Sequence, residues 1–269
     1  MRKMLYVILA GVLVWTSLAA AQNAIPPSRV AQFLPPVVDR VAPAAAEAQG
    51  PPAYCNPCLF YGGDFDIKNP NADTFANENI LPGGTPIIAQ IYSPFKIPKG
   101  QTWIVTGLFI NSIAYPTALD PAATPWEIRK AIPLKGGSGG KLVASGTANA
   151  TMTPTGRSLN GVLEYTILVL LDSPVTLKPG KYWENVTPQC TDGGNSQCTA
   201  QGFTGFLESD METKRGFNVN GYGPAEPWRD SFWNAPDFGL TWANVYQVHL
   251  QRGMPGGDAF SAGVIGTVQ

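Results

Sequence analysis

The chain of 269 residues holds one histidine, and only 14% of its residues are charged, against about 25% in a typical soluble domain. A single His excludes any multi-His zinc or copper site. A Ser-His-Asp triad would have to use His249, yet no Gly-x-Ser-x-Gly elbow presents a nucleophile. Lys and Arg number 18 against 19 Asp and Glu, for a formal charge of -1, and no basic cluster is longer than a pair. Nucleic-acid binding rests on neutralising phosphates, so this balance argues against a nucleic-acid partner. The Gly-rich "GGSGG" lacks the Lys-Ser/Thr and helix of a phosphate loop and reads as a hairpin tip. Past the first residues no apolar run has the length of a membrane helix.

What the chain does have is 29 Gly and 25 Pro, a composition of turns and strands. The opening "MRKMLYVILAGVLVWTSLAAAQ" sets Arg2 and Lys3 before an apolar run and an Ala19-Ala20-Ala21 site. Residues 1–21 therefore read as a cleavable signal peptide, and the mature chain is expected to be secreted, periplasmic or at the cell surface, with no membrane span. Residues 22–52 hold the Pro pairs 26/27, 35/36 and 51/52 and an Ala run at 44–46. Paired prolines favour extended chain without internal hydrogen bonds, so this stretch reads as a Pro/Ala-rich linker.

From residue 53 to 269 the pattern changes to short runs rich in Val, Ile, Thr, Tyr and Trp: "TPIIAQIYSPFKI", "QTWIVTGLFINSIAY", "KLVASGTANATM", "VLEYTILVLL", "KYWENVTP", "ANVYQVHLQ" and "AFSAGVIGTVQ". Pro-Lys-Gly at 98–100 and Lys-Pro-Gly at 178–180 supply turns between them. The expected fold is all-β, a single β-sandwich or jelly roll. In "ATPWEIRKAI", Thr124, Pro125 and Glu127 would suit a helix start. The alternation of Trp126, Ile128 and Ile132 against Glu127, Arg129 and Ala131 suits a strand instead, and a hairpin with the strand that follows is the reading taken. Along "VYQVHLQR" the same logic predicts a strand with His249 on the exposed face beside Gln247 and Gln251.

The motifs "IPKGQTWIVTGLFI", "WEIRKAI" with "GGSGGKLVASGTA", "TPTGRS" and "LKPGKYWENVTP" together resemble a group of uncharacterised exported β-sandwich proteins of soil and environmental bacteria. The resemblance covers most of residues 55–269. It implies secretion and a sandwich fold, and carries no established activity.

An even number of cysteines in an exported chain makes disulfides the default. Of the three pairings open to Cys55, Cys58, Cys190 and Cys198, the favoured one joins 190 to 198 across a polar loop and 55 to 58 across Asn-Pro. A redox role for Cys55 and Cys58 would need a helix N-terminus, and "LFYGGDFD" follows instead. A four-Cys zinc site is disfavoured by the wide spacing of the second pair.

Three stretches carry candidate sites. "DFDIKNPNAD" gathers Asp64, Asp66 and Asp73, hard oxygen ligands that could hold a structural calcium, although an ordinary Asx-rich turn explains them and no cofactor is expected. "YGPAEPWRDSFWNAPDFGLTW" interleaves Tyr222, Trp228, Trp233 and Trp242 with Asp230 and other polar groups. Such a mixture suits sugar rings, whose C-H faces stack while their hydroxyls take hydrogen bonds. The other reading is a long loop burying its rings over one end of the sandwich.

"FLESDMETKRG" sets Glu208, Asp210 and Glu212 on one face of a strand. This Glu-x-Asp-x-Glu resembles the active-site motif of lichenase-type glycoside hydrolases, which implies nucleophile, tuning and acid/base roles for those residues in turn. Glu residues four apart in an extended strand start ~13 Å apart at Cα, while retaining hydrolysis needs carboxyls ~5 to 5.5 Å apart. A solvated acidic face beside Lys214 and Arg215 needs no such closure. The expectation is therefore an exported, non-catalytic sandwich binding carbohydrate or associating with the cell surface. A glycoside hydrolase and a structural envelope protein are the alternatives.

Overall fold

In the computed structural model, residues 58–62, 74–80, 87–159, 161–191, 199–202, 230–251 and 260–269 are described. The apolar-alternating runs within them pair into two sheets, as the all-β reading expects. The first sheet runs in the order β1 (Cys58–Tyr61), β16 (Ala262–Val268), β5 (Trp103–Ala114), β10 (Val162–Leu177) and β9 (Ala150–Leu159). The last turn of β5 also pairs with β13 (Thr199–Gly202), which pairs with β2 (Thr74–Ala76). The second sheet runs β6 (Leu119–Asp120), β12 (Gln189–Cys190), β3 (Glu78–Ile80), β4 (Ile87–Ile97), β11 (Gly180–Val186), β7 (Thr124–Lys130) and β8 (Lys141–Ala148). The hairpin of β14 (Phe232–Ala235) and β15 (Leu240–Asn244) pairs with β4.

One large cluster fills the space between the sheets, including Phe95, Trp103, Val105, Leu108, Ile128, Val169 and Tyr182. Phe95 stacks on Trp103 at 6.0 Å and on Tyr182 at 5.7 Å between ring centroids. At about 25 cal/mol per Å² and about 150 to 250 Å² per ring, each contributes about 4 to 6 kcal/mol of gross burial. A second cluster lies under the β14/β15 hairpin and holds Phe75, Ile91, Trp233, Phe238 and Phe260.

The phase of β5 changes midway. Trp103 and Val105 face the main core, but so do Leu108 and Ile110, which a strict two-residue period would put on the opposite face. Against β16, Gly107 and Val105 pair with the adjacent Ile265 and Gly266, so Thr106 is a bulged residue that flips the rest of the strand, while against β10 the extra residues lie on β10 between Leu170 and Val175. Phe109 and Asn111 are thereby turned to the outer face, where Asn111 Nδ2 donates to Ser261 Oγ at 2.7 Å and Thr166 Oγ1 donates to Asn111 Oδ1 at 2.6 Å. The Phe109 ring lies over Gly263, where an added Cβ would come within 2.2 Å of it.

Two amides replace a missing stretch of ladder on β4. The Ile91 N–H donates to Asn77 Oδ1 at 3.1 Å, and the Ile91 carbonyl accepts from Asn185 Nδ2 at 2.8 Å. Asn77 Nδ2 donates to the Val186 carbonyl at 2.9 Å, tying the segment before β3 to the end of β11. These groups are buried, where an unmet backbone polar group would be costly.

The hairpin of β7 and β8 forms as read, with Trp126 and Ile128 buried and Glu127 and Arg129 on the other face, but β7 ends at Lys130 and Ile132, expected on the side of Trp126 and Ile128, packs on the opposite face with Tyr92 and Trp183. Two further expectations fail. "KLVASGTANATM" is not one strand: β8 ends at Ala148 in the second sheet and β9 starts at Ala150 in the first, so the chain crosses at Asn149. "VYQVHLQ" is the short helix α1 (Val245–Gln251), not a strand. Asn244 Oδ1 accepts from the Gln247 N–H at 3.2 Å, an N-cap, and Val245 and Val248 bury one helical face at a spacing of three. The side chain of His249 is outside the described set. Among the described residues no helix is long and apolar enough to cross a membrane. The proposed signal peptide and linker, residues 1–52, lie outside the described residues.

Candidate functional site

The outward face of the second sheet is where the aromatic and polar residues converge. Along β4, β11 and β7 the positions opposite the main core are Gln90 and Tyr92, Lys181 and Trp183, and Glu127 and Arg129, because alternate residues of a strand point to opposite faces. The hairpin of β14 and β15 adds Phe232, Asn234 and Trp242. Tyr92, Ile132, Trp183 and Phe232 form a small buried cluster there, with Trp242 packed against it.

Trp242 has φ +49°, the left-handed region that a bulky side chain seldom enters. Its N–H donates to Asn234 Oδ1 at 3.3 Å, and its carbonyl accepts from the Gly137 N–H at 3.1 Å. The turn can approach only because residues 136 and 139 are glycine: a Cβ on Gly136 would stand 2.2 Å from the Trp242 carbonyl oxygen, and one on Gly139 2.2 Å from the indole. These contacts over-determine a conformation that costs roughly 1 to 3 kcal/mol, the kind of local strain that clusters at functional sites.

The indole meets Tyr92 at 4.5 Å between centroids, and the Arg129 guanidinium lies 4.8 Å from the Trp242 ring centroid. Arg129 is held from the other side by Glu127 at 2.5 Å and donates to the Gly139 carbonyl at 3.2 Å. The Tyr92 hydroxyl donates to Glu127 Oε2 at 2.9 Å and lies 3.2 Å from Gln90 Oε1, which also accepts from Asn234 Nδ2 at 3.3 Å. Burial, followed by the charge of Glu127 and the hydrogen bond to it, holds the Tyr92 hydroxyl far above the ordinary phenol range. Burial opposes the charge on Arg129, but its bonds and attraction to Glu127 and Tyr92 outweigh that and raise it. Tyr92 stays a neutral donor and Arg129 a fixed cation at every physiological pH.

Beside this group Lys181 Nζ contacts Asp230 Oδ2, and the Trp183 indole N–H donates to the Asp230 carbonyl at 2.6 Å. Arg129 and Lys181 are thus each matched by a carboxylate within the face. A surface of paired charges, amides and aromatic edges suits a hydroxyl-rich neutral ligand better than a phosphate.

Of the residues singled out in the sequence, Asp230 and Trp242 come together on this face. Trp233 does not: it faces the opposite side of β14, 3% exposed, with Phe75 edge-on at 4.7 Å, Phe238 stacked at 5.9 Å and its N–H on the Ala76 carbonyl. Its ring is taken up by the second core. Tyr222 and Trp228 lie outside the described residues, as do Glu208, Asp210 and Glu212, and Asp64, Asp66 and Asp73. Cys58 and Cys190 are disulfide-bonded, and the remaining two, Cys55 and Cys198, lie outside the described residues. Among the described residues no three His, Cys, Asp or Glu side chains gather as a metal site.

Tyr92, Glu127, Arg129, Lys181 and Trp183 were not among the sequence candidates. A signal was present in the alternation of "WEIRK", which puts an acid and a base two apart on the face opposite Trp126 and Ile128. Comparison of the chain with protein-family models, curated proteins and solved structures finds no match. The function therefore has to be argued from this face.

Proposed function

We propose that the chain is an exported, non-catalytic β-sandwich module that binds carbohydrate through the outer face of its second sheet, either on a free polysaccharide or at the cell surface. The observation that carries the reading is Trp242, held in a left-handed conformation by Asn234 and the glycine turn, with Arg129, Glu127, Gln90 and Asn234 arranged around it. Partly exposed amide and guanidinium groups at the rim of an aromatic cluster offer paired donors and acceptors to sugar hydroxyls. The motif resemblance to exported sandwich proteins and the signal-peptide pattern support the compartment.

A glycan array probed with the purified mature chain tests the reading. Binding to at least one neutral glycan is expected, and Gln90→Ala with Arg129→Gln should lower that binding at least tenfold while the far-UV spectrum is kept. No binding across a broad array, or binding indifferent to both substitutions, would refute it.

A further inference from the structure

Strand β11 lies inside the second sheet, paired with β4 on one edge and β7 on the other. Its even-numbered residues face the main core, where Tyr182 stacks on Phe95 and Val186 packs in the same cluster. Between them stands Glu184, 1% exposed, with neither carboxyl oxygen in a hydrogen bond. The other buried glutamates differ. Arg157 Nε donates to Glu164 Oε2 at 2.6 Å, and Glu78 is likewise partnered.

Among the described residues, those flanking Glu184 offer no cation to compensate a charge. In register with it are Ser93 on β4 and Ile128 on β7. On the core-facing side of the flanking strands stand Phe95 and Ile97 of β4 and Trp126 of β7, all in the main apolar cluster. The titratable groups toward this face are the phenols of Tyr182, whose hydroxyl donates to the Lys178 carbonyl, and of Tyr165 on β10, and the buried, partnered carboxyl of Glu78 on β3. The cation in register on β7 is Lys130, opposite Tyr182 at the exposed end of the strand. A carboxylate ionised here would keep neither its water nor a counter-ion, so the folded chain holds Glu184 protonated well above the usual carboxylate range, through burial.

We infer that Glu184 is a pH-sensitive latch on β11: protonated, it completes the core, and when ionised it loosens the second sheet around that strand. The opposite face of β11 carries Lys181 and Trp183, so the loosening reaches the Asp230 contacts on the outer face.

The sign follows from proton counting. In the unfolded chain Glu184 loses its proton in the ordinary carboxyl range, while the folded chain keeps it, so the folded state binds more protons and stability falls as pH rises from there. Glu184→Gln keeps the shape and removes the titration. The expected result of urea unfolding at a series of pH values is that the unfolding constant of the wild type, relative to Glu184→Gln, rises about tenfold per pH unit above the ordinary carboxyl range until Glu184 itself ionises in the folded state. Amide exchange along β11, corrected for intrinsic rate, should accelerate with pH in the wild type more than in the variant.

A ratio that stays constant with pH would overturn the inference. Should Glu184→Gln not fold, Glu184→Met serves as the non-titrating reference. Infrared spectra of the wild type give a separate reading: a protonated-carboxyl stretch that persists at neutral pH supports the latch, and its absence sinks it.

Discussion

Replacing Asn77 by Ala removes a side chain that stands in for the missing ladder on β4 at Ile91 and ties it to the end of β11. Two hydrogen bonds go, leaving the Ile91 N–H and the Val186 carbonyl without those partners. Asn77, Ile91 and Val186 are each at most 1% exposed, so water does not replace the lost amide without opening the sheet. An orphaned buried donor or acceptor costs about 1 to 3 kcal/mol, so the pair should cost about 2 to 6 kcal/mol, a large part of a typical domain's 5 to 15 kcal/mol. In urea, with a slope of about 2 kcal/mol/M, the midpoint should fall by about 1 to 3 M with little change in slope. Asn185→Ala should be non-additive with it, because both amides serve Ile91. A loss under about 0.5 kcal/mol, the range of ordinary surface substitutions, would refute the idea that these amides carry the join.

Gly263→Ala should overpack the outer face of the first sheet, since its Cβ would stand 2.2 Å from Phe109 and 2.8 Å from the Phe60 carbonyl oxygen. A loss of about 1 to 3 kcal/mol is expected, read by calorimetry as a drop of about 2 to 12 °C in melting temperature, with Phe109→Leu restoring part of it. Mass spectrometry of a non-reduced digest should find the disulfides 55/58 and 190/198, each contributing about 2 to 3 kcal/mol on the chain-entropy model. A 55-to-190 linkage would show that the cysteines join distant segments instead.

The long strands were legible because large apolar residues alternate between turn signals, as along "QTWIVTGLFI" and "TPWEIRK". What alternation cannot announce is a change of phase. The bulge at Thr106 turns Leu108 and Ile110 inward and puts Phe109 over Gly263, and its only local mark is the glycine that follows, Gly107. At "VYQVHLQ" the apolar spacing fits both a period of two and a helical three, and the deciding feature was Asn244 as a cap.

Part of the candidate site was readable and part was not. The run 222–242 reads as aromatic and polar, and within its described part Asp230 and Trp242 share a face. Which tryptophan turns inward depends on the register of β14 against β4, which puts Trp233 opposite Ile91 and Phe232 opposite Tyr92. Register is a tertiary property, so Trp233 could not be told from its neighbours by composition. The contributions of Glu127, Arg129, Lys181 and Trp183 come from strands distant in sequence and are joined only by sheet pairing.

The most direct test of carbohydrate binding on this face is a titration followed by the indole and guanidinium N–H signals in NMR, using the glycan the array selects. The account predicts that the Trp242 indole and Arg129 Nε–H signals shift with saturation, while the Trp103 indole, buried in the main core and bonded to Gln101, stays in place. Saturable shifts that leave Trp242 and Arg129 unmoved would place the binding elsewhere on the chain and contradict the account.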